Sequence, residues 1–508
     1  MSPLLDSNCH PFAAHEQADE GVHSPRDFSF SAFQLFLNQV HLVFLNQYYP
    51  PDAAPTGVML EAVVERLVRD GHEVTVLCAS GGYADSRHKN LRRKTQEGDE
   101  EENVHARRSQ FTNIRIGASC FGRGTFVGKL LDYASYYVGV ALKLWVMNPQ
   151  PDRIVALTTP PLLSVLARLF SKIRGADHAH WVMDLYPDVM AAHGMLGERS
   201  IMYRILAGLA RWGFGGRRCA AVLTLGPDMA ERLLGKKPKT EIKEDMDMAP
   251  TQASSTYQPS TLNHQLASVQ WVPLWGTGER LKSETEGAEV DPPSTSSLRR
   301  QRGWVDGELI VMYSGNMGLG HRFGEILAAA SRSAGVSPTS VPDFQPSTLP
   351  ISHQLSPTRF VFFGGGKRRL EIEAFVRENP QCAVEVHDYA PADELAAHLQ
   401  SADVHFVSLD VAWTGTMVPS KLQGVFAVGR PVIFIGSADS SIGRWVTESG
   451  GGWVVQAGDV DGLLTALDEA RQPEIRLTRG RAAKVYARSH FDKQTNVARV
   501  AAILAGRP

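Results

Sequence analysis

The sequence predicts an α/β protein with two parallel-sheet domains. At 508 residues the chain is too long for one ordinary hydrophobic core, so two domains with irregular insertions are expected. From His41 onward, apolar runs of strand length alternate with helical patterns, which is typical of an open parallel sheet with helices on both faces. A second alternating series begins at Leu309, and this restart predicts the second domain.

Composition narrows the class of protein. The hydrophobic content of 43% is that of a globular chain, and a net charge of -2 gives no overall attraction to nucleic acid or anionic lipid. The five cysteines form no CxxC pair, which argues against a disulfide framework or a zinc site and favours a reducing cytoplasm. Residues 1–40 lack a secretory signal pattern, and we expect them to form a disordered or loosely ordered tail.

The first domain is predicted to span residues 41–275. It opens with a strand at 41–47, a proline-rich loop, a helix at 58–69 and a strand at 73–79. A long helix then ends near Trp145, and a strand, a helix and a strand follow at 153–157, 162–173 and 178–182. Ligands of parallel sheets bind beyond the carboxyl ends of the strands, so the loops TTPP, from Thr158, and MDLYPD, from Met183, are expected to face the substrate.

Polar composition marks the segments between the ordered elements. Residues 235–266 and 332–357 contain few large apolar side chains and are expected to be flexible insertions. We assign a linker to 276–300 and the second domain to 301–480. Residues 481–508 are expected to form C-terminal helices that return toward the first domain.

The stretch from Ala402 to Gly436 is the candidate centre of the second domain. It reads as a strand, a loop, a short helix that begins after Ser420 as its N-cap and ends at Gly429, and another strand. Lys421 falls in the first helical turn, where the helix dipole disfavours a cation unless an anion binds there. The sequence leaves two alternatives, a phosphate bound at Lys421 or a lysine that points into solvent.

Two glycine-rich loops in the second domain each follow an apolar strand and open a helix, so their backbone N–H groups can face an anion. The first, SGNMGLGH, contains Gly315, Asn316 and His321, and it matches neither a P-loop nor the GxGxxG pattern. The second, at 364–366, precedes Lys367 and Arg368, and it is alternatively a tight turn beside a solvated basic patch.

Three other patterns have a functional and a structural interpretation. The DxD at 245–247 has the composition of a metal site, but it falls in an acidic insertion. His178 and His180 share one face of a strand, and without a third ligand they are expected to line the core or cleft. Three arginines recur at a spacing of seven residues, at 204, 211 and 218, and Trp212 and Phe214 lie close by in sequence. They would form either a contact with anionic lipid or a solvated helical face.

Together these motifs resemble the retaining glycosyltransferases of family 4, whose GT-B fold has two Rossmann-like domains that face each other across a cleft. The resemblance covers about Val40 to the C-terminus apart from the insertions, and it is closest to the bacterial branch that acts in capsule, O-antigen and exopolysaccharide assembly. The motifs that carry it are QYYPPDAAPTG, WVMDLYPD, YSGNMGLGH, FVFFGGG, and VPSKL followed by GRPVI.

The resemblance implies a role for each matching residue. Asp184 would offer a catalytic polar group to the sugar and acceptor, and Lys421 would neutralise phosphate charge. The donor diphosphate would lie against Gly57, Gly315, Asn316, His321 and Gly365. The nucleobase and ribose would lie near His387, Tyr389, Thr416 and Ser420. No metal or other cofactor is expected.

The sequence also departs from the family pattern. Many members carry two glutamates eight residues apart in the loop before GRPVI, and the aligned positions here are Thr416 and Gly424. The common histidine before the Asp184 position is Met183. These departures put the binding of ribose and sugar hydroxyls in question.

The resulting prediction is a cytoplasmic glycosyltransferase, with a possible peripheral contact at the inner face of the membrane and no nucleic-acid partner. It would move a sugar, with retention, from a nucleotide-diphosphate donor to a glycan or lipid-linked acceptor in cell-surface polysaccharide biosynthesis. Two alternatives stay open. One is a GT-B nucleotide-sugar epimerase, which would need acid and base carboxylates in the cleft. The other is an inactive donor-binding or scaffold protein.

Overall fold

The computed structural model describes residues 39–52, 54–80, 110–117, 119, 126–235, 269–276, 293–335 and 358–506. The expected tail, nearly all of both expected insertions and the DxD at 245–247 therefore lie outside the described residues. Within these ranges, no helix is both long enough and apolar enough to cross a membrane.

The first sheet joins seven described strands, all parallel. They are β1 His41–Leu45, β2 Glu73–Ala79, β3 Phe111–Ile116, β4 Arg153–Ala156, β5 Asp177–Trp181, β6 Cys219–Thr224 and β7 Val269–Trp271. Their order in the sheet is β3-β2-β1-β4-β5-β6-β7. Sequence reasoning missed β3, an edge strand in which polar residues interrupt the apolar ones, and β6, which is built mostly from small residues.

Helices cover both faces of this sheet and with it form the first lobe. They are α1 Pro55–Arg69, α2 Phe126–Val146, α3 Leu163–Arg174, α4 Asp188–Ala192, α5 Ile201–Phe214 and α6 Pro227–Leu233. α1 begins before the predicted residue 58 because Pro55 fits the first turn, where its missing N–H is not needed.

The predicted arginine face is wrong in part. α5 is continuous despite its glycines, but it ends at Phe214, so Arg218 lies beyond the helix and only Arg204 and Arg211 belong to it. Phe214 is buried against the core and does not contribute to the surface.

The second sheet joins six described parallel strands in the order β10-β9-β8-β11-β12-β13. Its central strands are buried on both faces, so they read as continuous apolar runs rather than as alternating ones. The strands are β8 Leu309–Ser314, β9 Thr358–Phe363, β10 Val384–His387, β11 Val404–Ser408, β12 Val432–Ile435 and β13 Gly452–Val455.

The second lobe consists of this sheet and its helices. They are α7 Pro293–Gln301, α8 Gly324–Ser333, α9 Arg369–Glu378, α10 Leu395–Gln400, α11 Lys421–Ala427, α12 Ser441–Ser449, α13 Val460–Arg471, α14 Pro473–His490 and α15 Lys493–Ala505. α7 occupies the last part of the expected linker. α15 packs on the first lobe, where the carbonyl of Leu504 accepts a hydrogen bond from Arg153 at 2.7 Å.

The two lobes also touch through α6 and α12. The Asp228 carboxylate accepts a hydrogen bond from the Ser441 hydroxyl and another, at 3.2 Å, from the backbone N–H of Gly415. Arg444 donates two hydrogen bonds to Glu231, at 2.8 and 2.7 Å. These polar contacts hold the loop before α11 against the first lobe, and this loop carries the candidate site.

Candidate functional site

The segment from β11 to α11 has the local structure that the sequence predicts. A single 3₁₀ turn after β11 is capped by Asp410, whose carboxylate accepts a hydrogen bond from the N–H of Ala412 at 2.9 Å. α11 begins at Lys421, and Gly429 adopts the positive φ of 76° that its helix end requires. Ser420 occupies the N-cap position as predicted, although its hydroxyl makes no capping hydrogen bond.

Lys421 contacts His321 across the site. Its ammonium Nζ lies 3.0 Å from His321 Nε2, and His321 Nδ1 lies 2.6 Å from the carbonyl oxygen of Ser408. The carbonyl can only accept, so Nδ1 carries the proton and Nε2 is left to accept from the lysine. The Nζ atom also lies 5.0 Å from the centre of the Tyr313 ring, within the range of a cation–π contact.

This lysine is a half-buried cation. Burial lowers the pKa of Lys421 to about 7. Burial, and next the charge of Lys421, lower the pKa of His321 to about 3, so the imidazole is neutral. No carboxylate of the described chain pairs with Lys421. A bound anion would supply the missing charge, and the contacts therefore favour the phosphate interpretation over a lysine that points into solvent.

The first glycine-rich loop packs against this lysine, and the second packs against the first. Gly315 has a φ of 135°, and a Cβ atom there would lie 2.8 Å from Cε of Lys421. The N–H of Met317 donates to the carbonyl of Gly365 at 2.6 Å, and a Cβ on Gly364 would collide with the Gly315 carbonyl. Only glycine allows this close approach of two backbones. Asn316 is exposed at the tip of the first loop. The structure therefore brings Gly315, Asn316, His321, Gly365 and Lys421 together.

The expected nucleobase side lies beside the second glycine loop. Tyr389 is exposed and its ring covers Gly365, where a Cβ would lie 3.3 Å from Cε2 of the tyrosine. The backbone of His387 contacts the loop by accepting the N–H of Gly364 at 3.0 Å. Its side chain turns elsewhere, because Nε2 lies 2.9 Å from Glu385 and the ring stacks on Phe363.

Three other predicted positions have no described contact with this cluster beyond the peptide bond from Ser420 to Lys421. Thr416 is fully buried, and its hydroxyl donates to the carbonyl of Trp413 at 2.8 Å. Ser420 is exposed just before α11. Gly57 lies in the first turn of α1, where a Cβ would approach the Tyr48 carbonyl at 3.1 Å. The described contacts of Gly57 belong to the first lobe, and none of them joins it to Lys421.

Asp184 lies where the two lobes meet. Its backbone forms an isolated antiparallel bridge with Met417, and the neighbouring N–H of Leu185 donates to the Thr416 carbonyl at 2.8 Å. Thr158 supports the loop, because its hydroxyl oxygen accepts from the N–H of Asp184 at 3.1 Å. Burial raises the pKa of the Asp184 carboxyl to about 6. The backbone of Asp184 therefore joins the second lobe, and its carboxyl group is protonated more readily than an ordinary aspartate.

Sequence reasoning missed two aromatic residues that shape the site. Tyr313 lies under the Lys421 ammonium, and its hydroxyl donates to the Asn316 carbonyl at 2.7 Å. Trp413 packs on Gly320, where a Cβ would lie 3.0 Å from the indole ring. The only sequence signal was the position of Tyr313 at the end of a strand before a glycine loop.

In the structure, Cys219 lies beside His178 and His180 as a third potential metal ligand, which the sequence did not indicate. The ligand atoms of His178, His180 and Cys219 all lie within 4.8 Å of one another, and all three residues are buried. The charge of nearby Arg168 opposes a cation there. The cluster lies inside β5 and at the start of β6, whereas Asp184 follows the carboxyl end of β5. It is not part of the site, and the expectation of no metal stays a prediction.

The arrangement can bind an anionic group and place a carboxyl group beside it. A cation, a neutral imidazole and the first glycine loop lie together in the second lobe, with the second glycine loop packed behind the first. The loop of Asp184, whose carboxyl has a raised pKa, joins them from the first lobe. Such a constellation can neutralise a diphosphate and place a polar group beside whatever is attached to it.

Comparison with known proteins identifies relatives of the whole chain. No family model matches. The "Putative colanic acid biosynthesis glycosyl transferase WcaI" of Escherichia coli (strain K12) is 23% identical over 454 residues, which is 88% of this chain and 95% of the relative.

Solved structures give the same architecture. WaaG, a glycosyltransferase involved in lipopolysaccharide biosynthesis, is 17% identical with a TM-score of 0.55, and the match covers 91% of this chain and 99% of WaaG. Anabaena HepE in complex with UDP is 11% identical with a TM-score of 0.55, covering 91% and 98%. At these identities the likeness concerns the fold alone. The predicted fold class is confirmed: the chain has two parallel-sheet α/β lobes of the GT-B type.

Proposed function

We propose that this protein is a glycosyltransferase that takes its sugar from a nucleotide-diphosphate donor. The single observation that carries the proposal is the half-buried Lys421 ammonium, which contacts the neutral His321 and is covered by Gly315, without a carboxylate partner among the described residues. A diphosphate fits this charge. The relative WcaI is named for colanic acid biosynthesis, and HepE binds UDP and UDP-glucose, which supports a nucleotide sugar and a polysaccharide pathway.

Catalysis would depend on stabilising the departing nucleotide diphosphate. Charge develops on the diphosphate as the bond to the sugar breaks, and the Lys421 ammonium can compensate it. Asp184 would hold the sugar or the acceptor from the other lobe. We further propose family 4 membership, retention of configuration, a glycan or lipid-linked acceptor, a cytoplasmic location and turnover without a metal.

The positions of the two absent glutamates fit an active enzyme. Thr416 is buried in the contact between the lobes, and a Cβ on Gly424 would lie 3.6 Å from Leu399. Hydroxyl contacts that bind the ground state and the transition state equally change KM or donor choice more than kcat. We therefore expect turnover without these carboxylates.

A screen of nucleotide sugars by thermal shift, followed by product analysis with candidate acceptors, tests the proposal. Lys421→Ala should weaken donor binding by about 1.5–3 kcal/mol, because one charge-assisted hydrogen bond is lost. Equal binding by the variant and the parent would remove the phosphate assignment. Tight donor binding without transfer or hydrolysis in a broad screen would favour the scaffold alternative, and a changed donor sugar would favour the epimerase.

A further inference from the structure

Helices α2, α3 and α5 form an exposed apolar face on the first lobe that the candidate site does not use. α3 lies between the other two and packs against both. The face, which we call the α2–α3–α5 face, exposes Leu142 by 64%, Trp145 by 61% and Ile201 by 77%. Exposed apolar side chains are common singly, but three adjacent helices that all present them indicate a binding surface.

The pattern along α2 and α5 is regular. On α2, Leu130, Val138, Leu142 and Val146 recur at multiples of four residues on the exposed side, while Tyr136, Val140 and Leu144 point into the core. A surface helix normally carries one apolar stripe, and a helix that is apolar on both sides is expected to be covered on both. On α5, Ile201, Ile205, Leu209 and Trp212 repeat the exposed stripe.

The charge of the same helices favours an anionic partner. α2, α3 and α5 contain seven lysines and arginines and one acidic residue, Asp132, whereas the whole chain carries a net charge of -2. Arg204 and Arg211 lie next to the apolar stripe of α5, and neither pairs with a carboxylate within the described part of the chain. Apolar residues and tryptophans flanked by arginine and lysine are the composition of a surface that lies in a lipid interface.

α2 also connects this face to the candidate site. Its Tyr137 hydroxyl donates a hydrogen bond to the carbonyl of Pro161, in the loop whose Thr158 supports the backbone of Asp184. A bilayer that holds α2 would therefore hold Asp184 close to the interface.

We propose that the α2–α3–α5 face binds the surface of an anionic lipid bilayer, with the helices lying in the plane of the interface. The proposal deepens the proposed function and rests on it in one respect: docking would present the Asp184 side of the site to a lipid-linked acceptor. Basic residues would bind the headgroups, and the apolar stripes would enter the headgroup boundary.

Flotation with vesicles tests this surface. The full chain should float with phosphatidylcholine vesicles containing 30% phosphatidylglycerol, less with pure phosphatidylcholine, and less in 0.5 M salt. The double variant Leu142→Glu/Trp145→Glu should reduce the bound fraction at least ten-fold, and Arg204→Glu/Arg211→Glu should reduce it on anionic vesicles. Leu370→Glu is the matched control, because Leu370 is 72% exposed on α9 of the other lobe, and it should leave binding unchanged.

Three results would overturn the inference. The first is no flotation with anionic vesicles, and the second is an equal loss of vesicle binding in the Leu370→Glu control. The third is sedimentation as a dimer that Leu142→Glu converts to a monomer, because the face would then be a contact between two copies of the chain. The melting temperature and the donor binding of each variant distinguish a failure of the membrane surface from a failure of the proposed function. Lost vesicle binding with intact donor binding defines the surface, whereas absent donor binding in the parent refutes the proposed function and leaves the surface unaffected.

Discussion

The protonation of Lys421 should make donor binding depend steeply on pH. The free protein holds this lysine with a pKa of about 7, because burial disfavours the ammonium. A bound diphosphate favours the ammonium and raises the pKa again, so the complex binds a proton that the free protein lacks above pH 7. His321 stays neutral throughout, since its pKa lies at about 3.

The size of the pH effect on donor affinity follows from the protonated fraction of Lys421 in the unliganded protein. That fraction falls from about one half at pH 7 to about one hundredth at pH 9, so affinity should fall about 50-fold if the bound pKa exceeds 9. At pH 8, binding should take up about 0.9 proton. The same shift affects folding with a definite sign. The unfolded chain binds the proton more tightly between pH 7 and 10.5, so the free energy of unfolding should rise with pH across that window.

Isothermal titration calorimetry measures both quantities. A nucleotide sugar is the better ligand, because a terminal phosphate of a free nucleotide titrates near pH 6 and would confuse the profile. Titrations at pH 8 in buffers of different ionisation enthalpy give the proton uptake. Lys421→Met keeps a long side chain but removes the charge, so donor binding by this variant should be weaker and should not depend on pH. An affinity that is flat from pH 7 to 9 in the parent, or no proton uptake at pH 8, would refute the reasoning.

Four further predictions concern the site and the insertions. Asp184→Asn should lower kcat by about 100-fold or more while donor affinity stays within about two-fold, and a variant with normal kcat would exclude Asp184 from catalysis. Gly315→Ala should weaken donor binding at least about ten-fold by displacing Lys421, whereas Gly335→Ala, which also has a positive φ but has open space around it, should affect only stability. Chelation with EDTA should leave the initial rate unchanged, and a loss that Mg²⁺ or Mn²⁺ restores would contradict turnover without a metal. Replacing residues 236–263 with a short Gly/Ser linker should shift the melting temperature by less than about 2 °C, and insoluble protein would contradict this.

Local patterns in the sequence determined the fold class and the frame of the site. The alternation of strands and helices predicted both sheets, because periodicity follows from side-chain burial within one element. Gly429 ends its helix and Lys421 begins it as predicted, since both depend on the backbone of neighbouring residues. The edge strand β3 escaped detection because its exposed polar residues break the apolar run.

Only the tertiary structure determined which residues of the candidate site contact one another. Lys421 and His321 are 100 residues apart in sequence, and their contact depends on β8 and β11 lying side by side in the sheet. The same packing placed Tyr313 under the lysine. The contact between the lobes buried Thr416, and the packing of α2 on the first sheet left its outer stripe exposed. Burial sets the pKa values of Lys421 and Asp184, and burial is a property of everything packed around a group rather than of the residues beside it in the chain.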